Sequence, residues 1–165
     1  MLKHVLVPLD GSRLAETALE HAERLVGAGD KITLLTVVQA PEIPIYDFYP
    51  MPSTLTHDYE TSLKDAIPFA QEYLDRTALQ IRDLLGINTD ALVEIGQPEK
   101  LIVDVAEKLA VDAIVMSTHG RSGLNRWLFG SVTQKVLAAA SRPVFVIPNR
   151  QNVEHHAPSQ VEKAM

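Results

Sequence analysis

Two short clusters in this chain bring together what anion chemistry needs. The first is Ser117-Thr118-His119-Gly120-Arg121. The second is Gly130-Ser131-Val132-Thr133. Between them lie Gly123 and Arg126, and no acidic residue. Glycine carries no Cβ, so its backbone N–H can come close to a bound oxygen. A helix start adds unpaired N–H donors and a partial positive charge. The two arginines favour the same sign of ligand. Together these features point to a phosphate group, and through it to a nucleotide. The plainer alternative is a surface loop whose glycines only make turns.

Other chemistries fit less well. No Gly-x-x-x-x-Gly-Lys-Ser/Thr is present, so this is not a P-loop, and no Gly-x-Gly-x-x-Gly marks a dinucleotide site. His119 has no neighbouring acid to orient it as a base, and no Gly-x-Ser-x-Gly elbow supplies a nucleophile. It reads as a hydrogen-bonding loop residue, and no residue is assigned a catalytic role. Ser131, with Gln134 three residues later, also fits a helix cap. Capping and phosphate contact stay open for it. Asp10 likewise fits either a turn residue capping the next helix or an acceptor for a ribose or adenine group.

The elements that would position these residues can be read from periodicity. His4 to Leu9 is a first strand, with Val5, Leu6 and Val7 as a continuous apolar run. Asp10-Gly11-Ser12 turns the chain, and Ser12 is suited to cap a helix running to about Val26. Its buried stripe is Ala15, Ala18, Leu19, Ala22, Leu25 and Val26. Gly27 and Gly29 stop it. Lys31 to Val38 is the second strand. From Gln39 to Asp58 the four prolines Pro41, Pro44, Pro50 and Pro52 exclude regular structure. The aromatics Tyr46, Phe48 and Tyr49 make this stretch a flap over the domain or a surface for an unidentified protein partner. Tyr59 to Leu85 reads as a helix with Leu63, Ile67, Ala70, Leu74, Ala78, Ile81 and Leu85 inward. Pro68 should kink it or begin its main segment. Thr89 to Ile95 is the most polar strand and hence an edge. Pro98 opens a third helix with Leu101, Ile102, Val105, Ala106 and Leu109 inward. Asp112 to Ser117 is the fourth strand, Ser131 to Ala140 the last helix, and Pro143 to Ile147 the fifth strand. The alternation gives a single-domain α/β fold with an open parallel sheet and helices on both faces.

Here a resemblance carries further. Gly-x-x-Gly, nine residues, then Gly-Ser or Gly-Thr is the phosphate pattern of the ATP-binding branch of the universal stress protein family. This chain has Ser117-Thr118-His119-Gly120, nine residues, then Gly130-Ser131. His4-Val-Leu-Val-Pro-Leu-Asp-Gly-Ser12 resembles the family's first strand and turn, and Arg142-Pro-Val-Phe-Val-Ile-Pro148 its last strand. Ser117 stands where the family has its first glycine, which implies weaker binding at worst. The resemblance implies a sheet order of 3-2-1-4-5, of the adenine nucleotide α-hydrolase-like kind. That order sets Asp10 and the glycine loop in one crevice at the switch point. It implies a regulatory protein of the stress response that binds ATP. Slow ATP hydrolysis and loss of nucleotide binding in a pure interaction module are the alternatives. The nucleotide would touch Pro8, Leu9 and Asp10, then Val37, then Met116, Ser117, His119, Gly120 and Arg121, and finally Gly130, Ser131, Val132 and Thr133. Core packing explains Val37 equally well. Any accompanying Mg²⁺ would take its ligands mostly from phosphates and water, and no metal-binding residue is assigned. The resemblance also implies a homodimer paired through strand five, residues 143–148.

Composition sets the outer limits. The chain has 165 residues, enough for one domain with a substantial core. Residues 1–148 are expected to form the nucleotide-binding domain. The polar stretch 149–165, with Glu154-His155-His156, is expected to be a disordered tail. Fifteen basic against twenty-one acidic side chains give a net charge of −6, with no basic run. Nucleic acid and anionic membrane are therefore poor partners. Cysteine is absent, which excludes disulfides and thiolate metal sites and suits a reducing cytoplasm. The N-terminus runs directly into a strand pattern, so no signal peptide is expected.

Overall fold

Val5, Leu6 and Val7 have no solvent exposure, as a strand covered on both faces requires. The computed structural model describes residues 1–39, 53–118 and 130–148, with only the helical backbone described for 53–62. Five strands form: β1 His4–Pro8, β2 Lys31–Val38, β3 Asn88–Ile95, β4 Ala113–Thr118 and β5 Val144–Pro148. Four helices alternate with them: α1 Arg13–Leu25, α2 Ser53–Leu85, α3 Pro98–Lys108 and α4 Ser131–Ala139. All strand pairs are parallel, and the order is β3-β2-β1-β4-β5, as the resemblance implied. The polar β3 is an edge, and β5 is the other.

Side chains alternate across the sheet and build two cores. Val5, Val7, Ile32, Leu34, Ala113 and Val115 face α1 and α2, meeting Ala18, Ala22, Leu74 and Ile81. Leu6, Leu35, Ile114 and Met116 face α3 and α4, meeting Ile102, Val105 and Val136. Truncating a fully buried leucine such as Leu74 to alanine should cost about 2–5 kcal/mol. Gly11 and Gly86 make turns that other residues would resist. Gly11 has φ +78 between β1 and α1, and Gly86 has φ +65 where α2 ends.

Three expectations need correction. The helix α2 begins at Ser53, not at Tyr59. All four prolines of the preceding stretch lie before it, so nothing between Ser53 and Asp58 forbids a helix. Pro68 sits inside that helix and does not begin it. Leu85 is 43% exposed, because it is the last residue of the helix and the chain turns away at Gly86. The stretch 40–52 and the tail 149–165 lie outside the described residues.

Candidate functional site

Strands β1 and β4 are neighbours, yet the helices that follow them pack on opposite faces of the sheet. The chain thus opens a crevice at the carboxyl ends of these strands, where open α/β sheets take their ligands. The cleft found there is lined by ten of the thirteen residues expected at the site: Pro8, Leu9, Asp10, Val37, Met116, Ser117, Gly130, Ser131, Val132 and Thr133. The other three, His119, Gly120 and Arg121, lie outside the described residues. The floor is apolar, with Leu35, Val37, Ile102 and Met116, and the rim is polar.

Local hydrogen bonds fix the rim. Leu9 N donates to Leu35 O at 2.8 Å, and Thr36 Oγ1 donates to Leu9 O at 2.9 Å, holding the end of β1 against β2. Asp10 Oδ1 accepts from Ser12 N at 2.9 Å, which makes it an Asx-type turn residue. No described residue donates to its second oxygen. Ser12 caps α1 as expected, its hydroxyl accepting from Ala15 N at 3.1 Å. Across the cleft, Thr133 Oγ1 donates to Ser117 O at 3.4 Å and ties α4 to the end of β4.

Ser131 does not cap α4. It is the first helical residue, and Gly130 is the N-cap, with φ −57 and ψ 153. Either residue type suits a cap, but the extended backbone at Gly130 fixes the helix start there. Glycine has no side chain to offer, so no side-chain cap hydrogen bond forms. The first helical bond is Gln134 N to Gly130 O at 2.9 Å, and the expected capping box with Gln134 is absent. The N–H groups of Ser131, Val132 and Thr133 precede that bond, and no described residue accepts from them. They face the rim of the cleft with the positive end of the helix dipole.

The charge balance follows. Among the described residues lining the cleft, Asp10 is the only ionisable side chain. Nearby, the Tyr73 hydroxyl on α2 donates to Glu16 Oε1 on α1 at 3.0 Å. Burial, then that hydrogen bond, pushes the phenol well above its ordinary range, so it remains a neutral donor that pins α2 to α1. Among the described residues no group of three or more His, Cys, Asp or Glu is placed to hold a metal ion.

Residues 1–148 match the universal stress protein family. The chain belongs to that family. A universal stress protein of Methanocaldococcus jannaschii is 28% identical over 160 residues, spanning 92% of this chain and 98% of its own length. A structure solved for that protein superposes with a TM-score of 0.72 at 27% identity, covering 91% of this chain and 98% of its own. Two more distant structures share the fold. One is a family member from Arabidopsis thaliana with AMP bound, with TM-score 0.61, 17% identity, and coverage of 95% and 97%. The other is a universal stress protein in complex with cAMP, with TM-score 0.59, 20% identity, and coverage of 89% and 97%.

Residue-by-residue reading missed part of the cleft. Pro98 and Ile102 of α3 reach it only through the strand order, which no local pattern reveals. Thr118 and Gln39 also line it. Thr118 carried a local signal, as the polar end of an apolar strand next to Ser117. Among the described residues, no helix is long and apolar enough to cross a membrane.

Proposed function

We propose that this chain binds ATP as a regulatory ligand, with the phosphates at the start of α4 and the adenine end toward Asp10 and Val37. The observation that carries this reading is the set of N–H groups of Ser131, Val132 and Thr133, which no described residue accepts from, opening on a cleft with an apolar floor. Such a cleft suits an aromatic base, and such a helix start suits a phosphate. The two nucleotide-bound family members hold AMP and cAMP, so the adenine class has support from both. The triphosphate is inferred from the pattern at Gly120 and Gly130-Ser131. Mg²⁺ would be held mainly by phosphates and water.

Slow hydrolysis is the second reading. It needs a base, and Asp10 is the one described ionisable residue on the cleft, with one oxygen already engaged by Ser12 N. That favours binding over turnover. The reading places the protein in the cytoplasm as a homodimer. Pairing through β5 is supported by its position at a sheet edge with Phe145 39% exposed.

Mass spectrometry of the purified protein under native conditions tests the reading. Retained ATP is the expected result. Retained AMP or ADP after incubation with ATP would favour turnover. A protein that retains no nucleotide and gains none from millimolar ATP would be an interaction module, and the ATP reading would fall.

A further inference from the structure

The long helix α2 buries one side and leaves the other to solvent. Leu74, Ala78 and Ile81 enter the core. At about 100° per residue, Phe69, Glu72, Arg76 and Leu79 fall within an arc of about 80° on the opposite side. Phe69 is 76% exposed and Leu79 54%. Glu72 and Arg76 are exposed between them. Neither forms an ion pair among the described residues. A groove lined by Pro68, Gln71, Glu72, Asp75, Arg76 and Leu79 runs along this face. Single exposed apolar residues are ordinary on a protein surface. An aromatic and a leucine flanking two opposite charges in one row form a pattern that a partner can match.

The order of the four residues identifies that partner. Phe69 and Leu79 lie five residues either side of Leu74, and Glu72 and Arg76 lie two residues either side. A two-fold axis at the level of Leu74 therefore sets Phe69 against Leu79 of an antiparallel second α2, and Glu72 against its Arg76. Each pair then occurs twice, as an isologous contact requires. We propose that this face of α2 is a docking surface for a second copy of this chain, crossed antiparallel over the first. Phe69 on Leu79 supplies the apolar contact, and the two Glu72–Arg76 pairs fix the direction. A parallel pairing in register would set Glu72 on Glu72 and Arg76 on Arg76, which like-charge repulsion disfavours. Asp65 and Asp83 share the arc, but they would face each other about 13 Å from the axis, where helices crossing at about 50° have separated. A contact confined to residues 68–79 falls below the roughly 1,000 Å² of a stable interface, so the association is weak and grows with concentration. The helix lies over β2 and β3, and β5 is at the far edge of the sheet, so this contact does not compete with pairing through β5. The inference is independent of the nucleotide reading.

The test is analytical ultracentrifugation of the full-length protein at about 10 µM and about 500 µM. The parent's average mass should rise to about twice its dilute value or more, whether the dilute species is a monomer or a dimer paired through β5. Glu72→Arg and Arg76→Glu each bring like charges together across the axis, and each should abolish the rise. The double exchange, Glu72→Arg with Arg76→Glu, should restore it. An equimolar mixture of the two single variants should restore it too, because each then carries the other's complement. Phe69→Asp should abolish the rise, since it removes the apolar contact. These side chains are exposed, so every variant should melt within about 3 °C of the parent. A parent whose mass stays constant over this range overturns the inference. Single variants that associate as the parent does also overturn it, as does failure of either the double exchange or the mixture to restore association. In the last case the charges do not meet across a two-fold contact.

Discussion

Gly130→Val separates folding from binding at the start of α4. The position looks fragile from sequence, since a glycine in such a loop often needs positive φ. Here φ is −57 and ψ is 153, an extended conformation open to any residue. A Cβ built there meets no described atom within 4 Å. Valine is a poorer N-cap than glycine, by about 1 kcal/mol. The loss of freedom in the unfolded chain offsets about 0.4–1 kcal/mol of that. The net change is close to zero, so the melting temperature should move by no more than about 3 °C in a domain of this size. Binding should behave differently. The added branched side chain lies at the rim, beside the N–H groups of Ser131 and Val132. Displacing a phosphate from even one of these charge-assisted bonds costs about 1.5–3 kcal/mol, or about tenfold to a hundredfold in affinity. Calorimetry with ATP, alongside thermal melts, provides the measurement. Gly130→Ala should lose less, because a lone methyl leaves more of the rim open. If Gly130→Val melts normally and binds ATP as tightly as the parent, the phosphates do not sit at this helix start.

Two further outcomes are expected. Phe145→Glu should convert a homodimer to a monomer in light scattering, since it puts a charge on the exposed β5 edge; an unchanged mass, or a parent that is itself a monomer on dilution, would refute pairing through β5. Stability should fall as pH drops below about 6.5, because burial, and then the charge of Lys31, hold the His4 imidazole below its ordinary value against the opposing Asp112 and Asp90. The unfolded chain then takes the proton first, so stability is full above the unfolded value and is lost as pH falls toward the folded one. His4→Gln should flatten urea-midpoint curves between pH 7.5 and 5.5, and a curve that keeps its slope would clear His4 of the effect.

Much of this fold was legible because the strands are covered on both faces. A run such as Val5-Leu6-Val7 or Ala113-Ile-Val-Met116 has no polar alternation, and only a two-sided parallel strand uses it fully. The polarity of β3 likewise announced an edge. Sequence reading failed where the deciding force was absence. Four prolines before Ser53 suggested that disorder in the pattern continued to Asp58, but proline forbids a helix only where it stands. Leu85 fits the inward stripe of α2 by spacing, yet the chain turns at Gly86 and leaves it outside. The strand order came from resemblance alone. Spacing cannot say which strands are neighbours, so Pro98 and Ile102 could not be assigned to the cleft.

The cap of α4 shows why one helix start, and not another, is offered to a ligand. Among the described residues, the starts of three helices line the cleft. Ser12 closes the start of α1, taking Ala15 N. The start of α3 is Pro98, which has no N–H to give, and the Glu99 carboxylate takes its own backbone N–H. At α4 the cap is Gly130, which has nothing to give. A serine one residue earlier would have closed this end as Ser12 closes the first. In Gly130-Ser131 the glycine precedes the serine, and that order puts the hydroxyl inside the helix and leaves the N–H groups outside it open. Both residues are good caps, so the pair could not be resolved by residue preference. The extended backbone of Gly130 resolves it, and the same geometry that withholds a cap gives an anion its donors.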